Sequence, residues 1–130
     1  MTDDVVVDAS TVILALLGDE PGIRARLQDS TTHAPHLIDA ETGSVLRRHE
    51  LAGTVKPDEA AAALLGARLL VEQRYPHEGA IGDAAWSLRH NLSFYDALYV
   101  ALATRLGVPL LTADVRMANA PGLTCAVEVV

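Results

Sequence analysis

The sequence holds one cysteine, one lysine and few aromatic residues, and each shortage closes a route. A lone thiol, Cys125, can form no internal disulfide and is too little for a thiolate metal site. In its apolar C-terminal run it reads as a small buried hydrophobe. Trp86, Phe94, Tyr75, Tyr95 and Tyr99 are the only aromatic side chains, so with 50% of residues hydrophobic the core must be aliphatic. No apolar run approaches the roughly 18 residues needed to span a bilayer, and Met1-Thr2-Asp3-Asp4 lacks the basic start of a signal peptide. A cytoplasmic protein with no membrane partner is expected. Positive charge is scarce too: 10 basic against 17 acidic residues leaves a formal net charge of −7, which argues against broad, nonspecific nucleic-acid binding. It leaves room for a nucleic-acid enzyme whose local field is set by bound cations. Only Lys56 is lysine, and the remaining basic residues are arginines, whose planar fork of donors suits phosphate.

What is present fits a single domain of 130 residues, spanning 1–130, with strands and helices in alternation. Val5-Val6-Val7 is a β-branched run of the kind found in a strand buried on both faces of a parallel sheet. Ser10–Leu17, closed by Gly18, and Pro21–Gln28 read as short helices. His33-Ala34-Pro35-His36 reads as a short extended segment or turn, and Leu37–Leu51 as a longer helix. Pro57 or Asp58 opens an alanine-rich helix to about Leu69, and Leu69–Gln73 reads as a short strand because Pro76 disfavours helix at Tyr75. Ile81–Leu88 and Phe94–Leu106 follow as helices, the second ended by Gly107-Val108-Pro109. Pro109–Thr112 is a second buried strand, and Cys125–Val130 a final strand towards an edge.

Four acids stand out against this frame. Asp8 and Asp114 each terminate a buried strand, where ligands of open α/β sheets bind. Glu41 interrupts an apolar helical stripe with Leu37 and Val45, sharing that face with Ile38 and, at its edge, Leu46. Asp96 lies in the first turn of the strongest helix. Each has a plain structural alternative: Asp8 or Ser10 caps the first helix, Asp114 caps Val115–Ala118, Ser93 and Asp96 form a capping box, and Glu41 pairs with an arginine. Asp39 falls on another side of its helix and reads as solvated, while Arg47, Arg48, His49 and Glu50 read first as a polar face. His33, His36, His49, His77 and His90 show no paired metal-ligand spacing and read as surface residues.

Strands alternating with helices imply a parallel sheet, and that topology brings the strand ends together. Four carboxylates in one pocket would repel one another and raise their pKa values unless divalent cations neutralise them. Hard oxygen ligands suit magnesium, with manganese as the substitute, rather than zinc. Such an ion orients a water, favours its deprotonation and stabilises charge on a phosphate under in-line attack. Phosphodiester hydrolysis is the natural inference.

The order Asp8, Glu41, Asp96, Asp114 resembles the acidic quartet of PIN-domain ribonucleases, and especially the VapC toxins of bacterial toxin-antitoxin pairs. Val-Val-Asp8-Ala-Ser10 is similar to the opening strand of that family, and Leu37-x-x-x-Glu41 followed by Val45-Leu46-Arg47 to its second motif. Tyr95-Asp96-Ala97-Leu98-Tyr99-Val100-Ala101-Leu102-Ala103 resembles the third motif closely, and Leu110-Leu111-Thr112-Ala113-Asp114 the fourth. The resemblance covers essentially the whole chain. It implies a three-layer α/β/α sandwich around a central, mostly parallel sheet. It also implies a magnesium-dependent endoribonuclease that cleaves cellular RNA, inhibits translation and is held inactive by a VapB-like antitoxin, with a homodimer as the usual assembly. Carried over, Asp8 and Asp96 bind metal directly, Asp114 directly or through water, and Glu41 binds a second ion or positions the attacking water. Ser10 and Thr112 match positions that support the acids, and Arg116 is a candidate for phosphate.

Two other magnesium-binding arrangements fit less well. A receiver-like phosphorylation domain needs a lysine after a late strand, and Lys56 is mid-chain. A haloacid dehalogenase phosphatase wants an aspartate where Ser10 stands. A non-enzymatic acidic interaction module, or a housekeeping PIN nuclease without a cognate antitoxin, are the remaining alternatives.

Overall fold

The computed structural model describes residues 3–130. Five parallel strands form one sheet: β1 (Asp3–Val7), β2 (Ser30–Pro35), β3 (Gln73–Tyr75), β4 (Leu110–Thr112) and β5 (Val127–Val129), in the order β3-β2-β1-β4-β5. The helices are α1 (Ala9–Leu17), α2 (Pro21–Gln28), α3 (Leu37–Leu51), α4 (Pro57–Leu70), α5 (Ala80–Ser87), α6 (Phe94–Leu106) and α7 (Val115–Ala118). Helices α1 to α4 pack on one another as one layer, and α6 lies across the sheet with α5 outside it as the other, giving a three-layer α/β/α arrangement. From β1 the chain works outwards to β2 and β3, then returns to β4 on the opposite side of β1. That reversal opens a crevice beyond the carboxyl ends of β1 and β4.

The core is aliphatic, as the shortage of aromatics requires. Val5, Val6, Val7, Leu110 and Leu111 are buried on both sheet faces, and α6 is buried without interruption from Ala97 to Ala103. A helix apolar all round belongs inside a molecule, and here α5 shields it from water. Gly107 ends α6 in the left-handed region (φ +69°), which glycine enters without a Cβ penalty. Among the described residues no helix is long and apolar enough to cross a membrane.

Several boundaries differ from the sequence reading. The segment around His33 is an interior strand that begins at Ser30, between β1 and β3. Its polar side chains are satisfied internally: the Thr32 hydroxyl donates to the Leu70 carbonyl at 2.5 Å, and the His33 ring bonds the Tyr75 hydroxyl and the Asp4 carboxylate, both at 2.8 Å. His33 is therefore buried, not a surface residue. The expected strand at Leu69–Gln73 is displaced. Helix α4 runs on to Leu70 because Ala60, Ala63, Ala67 and Leu70 bury one face, so β3 starts only at Gln73. Strand β5 is an edge as expected, but shorter. Cys125 lies before it, half-buried against the core, and burial pushes its thiol pKa up. Asp39 is not simply solvated: the Arg74 guanidinium grips it with two bonds of 2.7 and 2.9 Å, tying α3 to β3.

Candidate active site

The crevice at the sheet's reversal is an open pocket of about 580 Å³ whose lining includes Asp8, Glu41, Asp96 and Asp114. All four acids singled out from the sequence are thus brought to one place. Asp8 follows the last residue of β1, and its carboxylate is buried and tightly bonded. Its Oδ1 accepts from the Ser10 hydroxyl (2.7 Å), the Thr11 amide (3.0 Å) and the Thr11 hydroxyl (3.1 Å), while Oδ2 accepts from the Thr112 hydroxyl (2.5 Å). The cap of α1 is therefore Asp8 itself, through the Thr11 amide, and not Ser10. Ser10, in the first turn of α1, and Thr112, the last residue of β4, instead support the acids. Ser10 accepts the Ala113 amide and Thr112 the Asp114 amide, each at 3.0 Å, which fixes the turn that presents Asp114. Asp114 caps α7 through the Arg116 amide, and the Arg116 side chain, almost fully exposed, reaches Asp114 Oδ1 at 3.4 Å.

Asp96 comes from the first turn of α6, where the Ser93 hydroxyl caps the helix by accepting the Asp96 amide at 3.2 Å. The Asp96 carboxyl lines the pocket. Burial lifts the Asp96 pKa above its ordinary value, against a hydrogen bond from Ser93, and the neighbouring charges of Asp114 and Asp8 add to the rise. Glu41 sits beside the buried stripe of α3 rather than within it. Ile38, Thr42 and Leu46 form the fully buried face, and Leu37, Glu41 and Val45 are half-buried along its edge. Its partner is no arginine but the Tyr99 hydroxyl, which donates at 2.5 Å. Desolvation raises the Glu41 pKa; the Tyr99 bond opposes this, and Asp96 and Asp8 reinforce it. The Tyr99 hydroxyl is pushed up in turn by burial and by Glu41, so it remains a donor.

The sequence reading misses Tyr99, Arg48 and His49. Tyr99 lies in a run that reads as core; only its hydroxyl, which a buried tyrosine must satisfy, marks it out. Arg48 and His49 read as part of a polar helix face, yet both line the pocket. Val45 and Arg48 follow Glu41 at intervals of four and seven, and that spacing is the signal that could have placed Arg48. His49 is held by the Thr54 hydroxyl at 3.0 Å.

The donor set fits a hard divalent cation: four carboxylates line one pocket, and burial raises the pKa of two of them, Glu41 and Asp96, with the other acids of the pocket adding to the rise. Among the described residues no three acids approach closely enough to cage an ion unaided. Magnesium suits such a site, since it keeps several waters and needs only one or two carboxylates from the protein.

The same residues lie within a match to the PIN domain family over residues 5–123. The chain belongs to the PIN-domain family, in its VapC branch. It is 49% identical to ribonuclease VapC1 of Mycobacterium tuberculosis, with 98% of each chain covered. With ribonuclease VapC9 of the same organism it shares 40% identity, over 97% of this chain and 98% of that one. Among solved structures, a chain of the VapBC2 complex from Rickettsia felis, bound to a DNA fragment from its promoter, superposes with a TM-score of 0.74 at 12% identity, covering 98% of both chains; at that identity it shows the fold.

Proposed function

We propose that this protein is a divalent-cation-dependent endoribonuclease, the toxin of a VapBC-type pair, which hydrolyses RNA phosphodiester bonds and inhibits translation unless a VapB-like antitoxin holds it. The convergence of Asp8, Glu41, Asp96 and Asp114 on one open pocket carries this reading. The VapC relatives support RNA as the substrate, and the Rickettsia felis complex supports an antitoxin as the partner. Magnesium or manganese, when bound, supplies charge neutralisation for the phosphate and a lowered pKa for a water.

The chain's own residues provide the rest. Asp8, held by four hydrogen bonds, and Asp96 at the head of α6 would hold the ion, each fixed to a rigid element. Asp114, on the turn fixed by Ser10 and Thr112, would complete that set. Glu41, with its affinity for a proton increased by burial, holds the attacking water and draws on its hydrogen, while Tyr99 fixes its orientation. Arg48 and Arg116 meet the negative charge of the RNA at the pocket mouth.

Mapping cleavage sites in total bacterial RNA treated with the purified protein, with and without magnesium, tests the reading. Discrete new 5′ ends that need the ion are expected. Asp8→Asn should reduce their rate by at least about a hundredfold, the upper end of what the outer partners of a metal site are worth. The fold should survive, because the side-chain carbonyl oxygen of the introduced asparagine can take the place of Oδ1 and the Thr112 hydroxyl can accept from its NH2 group. Full activity in the purified Asp8→Asn/Asp96→Asn double variant would overturn the mechanism.

A further inference from the structure

A second recess, of about 330 Å³, adjoins the acidic pocket and shares Glu41, Val45 and Arg48 with it. Leu37, Ala40 and Val45 make it apolar, and Tyr95 and Arg48 rim it. In a chain with five aromatic residues, the position of each is informative. Tyr75 and Tyr99 are engaged through their hydroxyls with His33 and Glu41, and Trp86 packs on Phe94 beneath the Arg89 guanidinium. Tyr95 alone is unengaged among the described residues: it is 57% exposed, its hydroxyl makes no hydrogen bond, and its ring meets no other ring or cation. The Arg48 guanidinium is likewise unpaired among them, although it lines the same two recesses as Glu41. Neither side chain supports the fold, and each is of the type that binds a nucleotide: an aromatic face stacks on any base, and a guanidinium fork takes a phosphate. Their placement is also fixed by the catalytic elements. Tyr95 precedes Asp96 in the first turn of α6, and Arg48 lies two turns beyond Glu41 on one face of α3.

We propose that this recess is a base-binding subsite for an unpaired nucleotide flanking the scissile phosphate, Tyr95 stacking on the base and Arg48 taking the adjacent phosphate. The inference rests on the ribonuclease reading and names the side chains that hold the nucleotide beside the cut, whose base must be unpaired to leave its stack and enter.

The test uses an RNA fragment spanning a mapped cleavage site, and the same fragment made abasic in turn at each nucleotide flanking the cut. Wild-type protein should lose about tenfold in kcat/KM on one of the abasic fragments, the usual worth of one base-aromatic stack. Tyr95→Ala should lose about the same on the intact fragment, mainly in KM, and no more on that abasic one. Tyr95→Trp should restore the wild-type values. Affinity for the intact fragment, measured by fluorescence anisotropy in the Asp8→Asn background, should fall with Tyr95→Ala and with Arg48→Ala. Cleavage by wild type with Tyr95→Ala indistinguishable from it would overturn the subsite and leave the nuclease reading standing. No cleavage of any RNA by wild type would fell both. Unchanged RNA kinetics with weakened inhibition by the antitoxin would assign the recess to a protein segment, and so overturn the proposal.

Discussion

Asp8 is at once the cap of α1 and a wall of the acidic pocket, and the two uses reinforce each other. The Thr11 amide that it satisfies as a cap also locks its carboxylate against rotation, with the Ser10 and Thr112 hydroxyls completing the clamp. Removing an outer partner from a metal-binding carboxylate characteristically weakens the metal by about ten- to a hundredfold. Thr112→Val should therefore raise the magnesium concentration for half-maximal cleavage by that factor while leaving the maximal rate nearly intact, as a magnesium titration of initial rates would show. Tyr99→Phe is expected to act differently. It removes the bond that holds down the Glu41 pKa, so Glu41 stays protonated to higher pH and the acid limb of the pH-rate profile should move upward. If that limb does not move, Glu41 is not the group that titrates in it. Legibility at this scale follows chemistry: a carboxylate in an apolar context costs free energy and so is conspicuous, whereas the Tyr99 hydroxyl sits on a side chain that burial already explains. Arg48 and His49 are hidden for the opposite reason, since an exposed polar helix face is what a solvated helix also shows.

At the scale of elements, the strands that carry acids are legible and the strand between β1 and β3 is not. Strands β1 and β4 carry the apolar runs Val5–Val7 and Leu110-Leu111, where both faces are covered. Strand β2 is equally interior but opens Ser-Thr-Thr-His, and its polar groups are satisfied by partners distant in sequence, such as the Leu70 carbonyl and Asp4, which no local pattern reveals. The boundary between α4 and β3 is obscured by the same local ambiguity: Leu69-Leu70-Val71 suits a strand by composition, and the buried face of α4 decides the matter. Helix α6 is legible at both ends because its stops are chemical, a serine cap and a left-handed glycine. Those stops also aim Asp96. Ser93→Ala should cost about 1 kcal/mol of stability, typical of a lost N-cap, and lower cleavage beyond what that loss explains, because the first turn that carries Asp96 frays. Chemical denaturation beside initial rates in saturating magnesium would separate the two; a stability loss with unchanged rate would mean that the turn holds without its cap.

For the whole molecule, the balance between stability and function turns on charge. Four of the 17 acidic residues line one pocket, where burial and mutual repulsion raise the pKa values of Glu41 and Asp96. A carboxyl whose pKa is higher folded than unfolded binds its proton more tightly in the native state. Its contribution is fully present below the unfolded pKa, about 4, and is lost as pH rises through the folded value. In the metal-free protein these two acids therefore weaken the fold towards neutral pH, and a divalent cation that binds only the native state offsets the loss by mass action. Glu41→Gln should accordingly melt higher than wild type at pH 7 in the presence of a chelator, by a few degrees, with the gap closing as the pH is lowered below the ordinary carboxylate range. Excess magnesium at pH 7 should raise the wild-type melting temperature more than that of Asp8→Asn. Melting curves across this pH range, with chelator and with magnesium, check both statements together. A gap between Glu41→Gln and wild type that is independent of pH would show that the substitution acts through packing, and equal magnesium shifts in wild type and Asp8→Asn would place the stabilising ion elsewhere than the acidic pocket.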